Sequence, residues 1–157
     1  MAEGAIAWQV LEVKNGKALL ISLNAISVQS YHSKNQSVTW DNSSLRKWLN
    51  GKFIEQNFST VEQKALQATY NNNHTGHINT EWTSYGGYAT SDRVFLLSYG
   101  EAEQYFPTEN DKICKASENV RSRLQSGEAC GWWLRSPGSA QNEAAYVDAD
   151  GVINSAG

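Results

Sequence analysis

Three constellations of side chains in this sequence have the residue types for chemistry. Cys114 and Cys130 are its two cysteines, and a thiolate can attack a disulfide, ligate a soft metal or pair with a second sulfur. Neither lies in the C-x-x-C spacing of a metal or thioredoxin-like site. Two buried thiols and one structural disulfide therefore stand as alternatives to any reactive role. His74-Thr75-Gly76-His77 places two imidazoles three residues apart, with Glu81 the nearest carboxylate. Zinc needs further ligands in a closed geometry, so solvated loop histidines are the competing account. Tyr146-Val147-Asp148-Ala149-Asp150-Gly151 alternates carboxylates that could ligate calcium. The downstream bidentate Glu of a helix–loop–helix calcium site is missing, and a polar strand face entering an Asp-Gly turn explains the same residues. The sequence has no Gly-rich phosphate loop and no G-x-S-x-G elbow.

Composition narrows the function classes further. The net charge is −3, and no basic cluster of the kind that tracks a phosphate backbone is present. A nucleic-acid partner is therefore not expected. No stretch approaches the roughly 20 apolar residues of a membrane span. Met1-Ala2-Glu3-Gly4 lacks the basic and apolar regions of a secretory signal. A chain whose signal had been removed would belong at the cell surface or outside the cell, and otherwise in the cytoplasm. Six tryptophans and seven tyrosines among 157 residues imply an aromatic-rich core, an aromatic binding surface, or both.

The elements that must position these groups follow from local pattern. Trp8–Val13 and Lys17–Leu23 flank Asn15-Gly16, a strong hairpin signal. Asn42-Ser43-Ser44 offers helix caps before Leu45, Trp48 and Leu49, which share one helix face, and Gly51 is expected to end that helix. Ser59-Thr60-Val61-Glu62 is a capping box, with Val61, Ala65 and Leu66 as the apolar side. Val94–Leu97 reads as a short buried strand entering a second box, Ser98 to Glu101, and a helix through Phe106. Ser117–Leu124 reads as another helix, ended by Gly127. Tyr70–Thr90 has little core potential, and such long loops are usually functional or disordered. The chain closes with Trp132-Trp133-Leu134-Arg135, a turn at Ser136-Pro137-Gly138, the alternating Ala144–Asp148, and a hairpin turn at Asp150-Gly151. Strands at both ends with helices between them imply an α+β fold whose two ends share one sheet.

Pattern also sorts the aromatic residues. Leu45, Trp48, Leu49, Leu96 and Val147 are expected in one core, together with Trp132 or Trp133. Trp132 and Trp133 are consecutive in a strand and must face opposite sides. Arg135 shares the side of Trp133, where a stacked Trp–Arg pair is expected. Trp82, near Tyr85 and Tyr88, is either an exposed contact or a pin holding its loop to the body.

Three blocks resemble a bacterial domain family of unknown function. Thr39-Trp40-Asp41-Asn42-Ser43-Ser44-Leu45-Arg46-Lys47-Trp48-Leu49-Asn50 with Phe53 is the first. Val94–Ser98 with Glu101–Phe106 is the second. The third is Gly131-Trp132-Trp133-Leu134-Arg135-Ser136-Pro137-Gly138, then Ala145-Tyr146-Val147 and Asp150-Gly151. The resemblance implies a single C-type-lectin-like domain over residues 1–157. That fold is shared by formylglycine-generating enzymes and by the variable proteins of diversity-generating retroelements. It also implies that Ser139–Asn154 forms a ligand-binding face, with Gln141, Asn142, Tyr146, Asp148, Asp150 and Asn154 as contacts and Trp133 and Arg135 beside them. Relatives usually continue into a further closing strand, whereas this sequence ends at Ser155-Ala156-Gly157.

The leading expectation is a non-catalytic module for a protein or glycan ligand, with no cofactor and no metal. The resemblance supplies one alternative, an oxidase of the formylglycine-generating kind that uses Cys114 and Cys130 with copper or as a redox pair. A second alternative is an assembly subunit, homo-oligomeric or completed by a partner strand.

Overall fold

The computed structural model describes residues 5–73, 84–125 and 127–157. Asn15 and Gly16 both adopt positive φ, 52° and 72°, the geometry a two-residue hairpin turn requires. They join β1 (Trp8–Lys14) to β2 (Lys17–Ser22), with a register shift between Val10 and Glu12. The two ends of the chain do not share a sheet as expected. Among the described residues β1 and β2 pair only with each other.

A tight turn at Trp40–Asn42 precedes α1 (Ser44–Trp48), whose Ser43 hydroxyl accepts the Arg46 N–H at 3.1 Å. Gly51 does not end this helix. The chain winds on through a wide π-type turn, Leu49–Phe53, into α2 (Ile54–Asn57). A helical glycine costs only about 1 kcal/mol, and Asn50 docks the turn onto the chain beside it. Its amide donates to Val94 O at 2.7 Å and accepts the Arg93 N–H at 2.9 Å. α3 (Thr60–Ala65) begins at the Ser59–Glu62 capping box, yet it buries none of its residues, and Val61 is 79% exposed.

The ends of the supposed long loop are paired: β4 (Thr69–Asn71) lies antiparallel to β5 (Thr90–Asp92). His74, His77, Glu81 and Trp82 fall outside the described residues. Val94–Leu97 is not a paired strand, and a main-chain bond from Arg135 N–H to Leu97 O, 2.9 Å, ties it to the sheet. α4 (Tyr99–Tyr105) starts at the Ser98–Glu101 capping box, and α5 (Glu109–Lys112) follows. β3 (Asn24–Ala25) runs parallel to β6 (Cys114–Ala116), which in turn lies antiparallel to β7 (Ala129–Cys130). α6 (Glu118–Leu124) stops at Gln125, whose φ of 51° does the work expected of Gly127.

The chain closes in a three-stranded antiparallel sheet of β8 (Trp132–Pro137), β9 (Ala144–Val147) and β10 (Ile153–Asn154). The single expected core divides on the two sides of this sheet. Trp40, Leu45, Leu49, Phe53 and Ala144 form one cluster, with Trp48, Leu96 and Trp133 packed against it. Leu97, Ala102, Leu134, Ala145 and Val147 form another, with Trp132 at its edge. Trp40, not Trp48, is the fully buried tryptophan of the first cluster. The architecture is thus mixed α+β, with short helices and small, mainly antiparallel sheets.

Candidate functional site

Register brings the candidate residues of the C-terminal sheet into rows. Trp133 lies opposite Tyr146, and Tyr146 lies opposite Asn154. Side chains directly across antiparallel strands share a face, so these three form one row. The neighbouring row, Trp132, Val147 and Ile153, points to the other face.

Trp133 is the pivot of its row. Its indole N–H donates to Gln29 O at 3.0 Å. Its ring meets Tyr31 edge-on at 5.6 Å and Tyr146 at 6.0 Å. Above it opens a cleft of about 450 Å³ between the 30–35 segment and the β8–β9 turn. Trp133 and Tyr31 provide aromatic floor. His32, Lys34, Asn35 and Asn142 provide polar rim, and Gly157 lies along one side. The Asn142 side-chain amide donates to Asn35 Oδ1 at 3.1 Å and bridges the two walls. Burial holds the Tyr31 hydroxyl far above the usual phenol range, with the Asp41 charge adding to it. Tyr31 is therefore a neutral floor residue.

The other sequence candidates have separate duties. Gln141 clamps Tyr85, donating to its carbonyl at 3.0 Å and accepting its N–H at 3.3 Å. Asp148 turns inward on its own loop, accepting from the N–H groups of Asp150 and Val152 at 3.0 Å each and from Asn154 at 2.9 Å. The Val152 N–H, with Asn154 and the neighbouring amides, holds the Asp148 carboxyl below the usual range, outweighing the opposing effect of burial. A carboxylate occupied by these three donors is turn-forming. Asp150 is exposed at the tip, while Tyr146, Asp148 and Asn154 are half-buried, more covered than a solvent face would be. Among the described residues no group of three His, Cys, Asp or Glu side chains could hold a metal.

Arg135 departs furthest from expectation. It is 4% exposed and does not stack on Trp133. Its guanidinium lies over the Phe95 ring, 5.8 Å from the centroid. It pairs with both carboxylate oxygens of Glu101, one at 2.7 Å, and also donates to Leu96 O and Asn73. Arg135 therefore fastens α4 and the 94–97 segment to β8 and is not available to a ligand. The cause is a cation too costly to bury alone, satisfied by the carboxylate that the Ser98 capping box brings within reach.

A second buried polar centre escaped the sequence altogether. Asp92, 1% exposed, accepts from Trp40 Nε1 at 3.1 Å, Arg46 Nε at 2.7 Å, Asn71 at 3.1 Å and Thr90 at 2.7 Å. Local pattern does not mark it, because only Thr90 is a neighbour in β5, and the other donors come from residues 40–46 and from β4. The cleft residues Tyr31, His32, Lys34 and Asn35 were missed for the same reason. The two cysteines do not line the cleft.

No helix among the described residues is long and apolar enough to cross a membrane. No curated protein and no solved structure matches the chain. Residues 15–157, which hold the Trp133–Tyr146 row and the whole cleft, match the family described as Domain of unknown function (DUF6273), and the chain belongs to that family.

Proposed function

We propose that this protein is a non-catalytic binding module that holds a protein or glycan segment in the Trp133 cleft. The fold we assign is C-type-lectin-like, a single unit over residues 1–157, with Ser139–Asn154 forming one side of the contact surface. The observation that carries this reading is the combination of an aromatic floor with a rim of amide, imidazole and ammonium groups around an open volume of about 450 Å³. Concave sites with apolar floors and a few convergent polar groups are the usual form of ligand pockets. The surface resembles a paratope in its chemistry, because rigid aromatics give area and Asn and Ser give adaptable hydrogen bonds. In this reading Trp133, Tyr146, Asn142 and Asn154 serve the contact surface, Gln141, Asp148 and Asp150 shape its loops, and Arg135 supports it from beneath.

The test is a panel of purified oligosaccharides and peptides screened against the immobilised chain, the Asn142→Ala chain and the Lys34→Glu chain. A ligand bound by the parent and weakened about tenfold or more in a folded rim variant supports the reading. A ligand retained equally by both variants places recognition elsewhere and overturns it.

A further inference from the structure

Cys114 and Cys130 stand directly opposite one another across the antiparallel pair β6–β7. Both thiols are free, Cys130 buried and Cys114 half-exposed. Side chains directly opposed in an antiparallel pair share one face of the ladder, and the Cys114 thiol donates to Lys115 O at 3.6 Å. Residues opposed in an antiparallel ladder have Cα atoms about 4.5–5.5 Å apart, within the roughly 4.4–6.8 Å that a disulfide spans. No strand movement is needed to join these sulfurs. The strands are held independently of the sulfurs: Ala116 N–H donates to Glu128 O at 2.7 Å, and β6 is also paired with β3.

We propose that Cys114 and Cys130 form a reversible dithiol–disulfide site, in which exchange with a small-molecule disulfide of the glutathione class joins β6 to β7. The half-exposed Cys114 thiolate attacks one sulfur of the reagent, whose S–S bond breaks and releases the first small thiol. Cys130, as thiolate, then attacks the Cys114 sulfur of the mixed disulfide and expels the second small thiol. Two protein thiols are oxidised and one reagent disulfide is reduced. The two protein protons finish on the released thiols. Burial pushes the Cys114 thiol up to about 11, with the neighbouring Cys130 adding to it, and burial also raises Cys130. Little thiolate is present at neutral pH, so exchange is slow and the site answers a sustained oxidising environment rather than a brief encounter. The bond formed closes the segment that carries α6 and fixes the approach to Trp132, immediately after Gly131.

The folded full chain is incubated with oxidised glutathione and followed by intact mass, free-thiol titration and unreduced peptide mapping. The expected result is loss of both thiols together, a mass lower by two hydrogens, and one linked peptide pair containing Cys114 and Cys130, all reversed by excess dithiothreitol. The Cys130→Ser chain should stop with a single glutathionyl group on Cys114. A glutathionyl adduct persisting on the parent chain would overturn the proposal. So would disulfide-linked dimers as the main product, or thiols inert in the folded chain that react only in urea. If Cys130→Ser does not fold, the peptide map of the parent chain decides the matter alone.

Discussion

Trp133 and Tyr146 face each other across β8 and β9 with ring centroids 6.0 Å apart and planes at 68°. This edge-on contact links the floor of the cleft to the segment expected to carry recognition. Aromatic pairs of this kind couple by about 0.5–1.5 kcal/mol beyond their burial. A double-mutant cycle with Trp133→Leu and Tyr146→Leu, read by urea unfolding, should return a coupling in that range. A coupling indistinguishable from zero means the rings do not pack on one another.

Arg135 with Glu101 supplies a larger stability prediction. Replacing Arg135 by Met strands the Glu101 carboxylate and the acceptors at Leu96 O and Asn73. Removing one partner of a buried pair costs about 3–5 kcal/mol. Urea unfolding of Arg135→Met measures it, and a cost below about 1 kcal/mol would show that the pair is not structural.

The same carboxylate predicts an acid response. Burial raises the Glu101 pKa, but Arg135 and the Ser98 cap outweigh it, and the net shift is downward. A depressed folded pKa contributes stability that is present above the unfolded value of about 4.3 and is lost as pH falls through the folded value. Glu101→Gln should therefore flatten the decline in stability below about pH 4.5 relative to the parent chain. Asp111 and Asp148 are also shifted down, so part of the decline should persist. An unchanged slope across that window would remove Glu101 as a contributor.

Trp48, expected from helix periodicity to be a core residue, is less buried than Trp40, which lies outside that helix. Trp40 is fully buried and bonded to Asp92, whereas Trp48 is half-buried at the cluster edge. Trp40→Ala should cost about 3–5 kcal/mol, and Trp48→Ala clearly less. Calorimetric midpoints for the two variants give the comparison, and equal losses would contradict the packing described.

Gly151 is the most constrained turn position. Its φ is 85°, and an added Cβ would sit 1.9 Å from Glu109 O. Positive φ costs about 1–2 kcal/mol for a side-chain residue, and overpacking adds about 1–3. Gly151→Ala should lower stability by roughly 2–5 kcal/mol, whereas Gly16→Ala, with nothing within 4 Å, should show the φ cost alone. Parallel denaturation curves for the two variants check this, and similar losses would mean that Gly151 does not pack on α5.

The sequence by itself determined features whose energy lies within four residues. Asn15-Gly16 specifies its hairpin turn by tolerating positive φ. The Ser59–Glu62 and Ser98–Glu101 boxes specify helix starts because cap and acceptor are neighbours in the chain. The alternation around Val147 announces a strand with Ala145 and Val147 inward, and the match over residues 15–157 secures the family of unknown function. Tertiary structure decided which surfaces meet. Helix periodicity could not rank Trp48 below Trp40, since burial depends on the elements laid over each ring. It could not send Arg135 to Glu101, because that pairing follows from α4 crossing β8. Nor could it place the 30–35 segment beside Asn142, or set Cys114 opposite Cys130. Those distances are fixed by strand register and loop closure across many residues, where desolvation and packing outweigh any local preference.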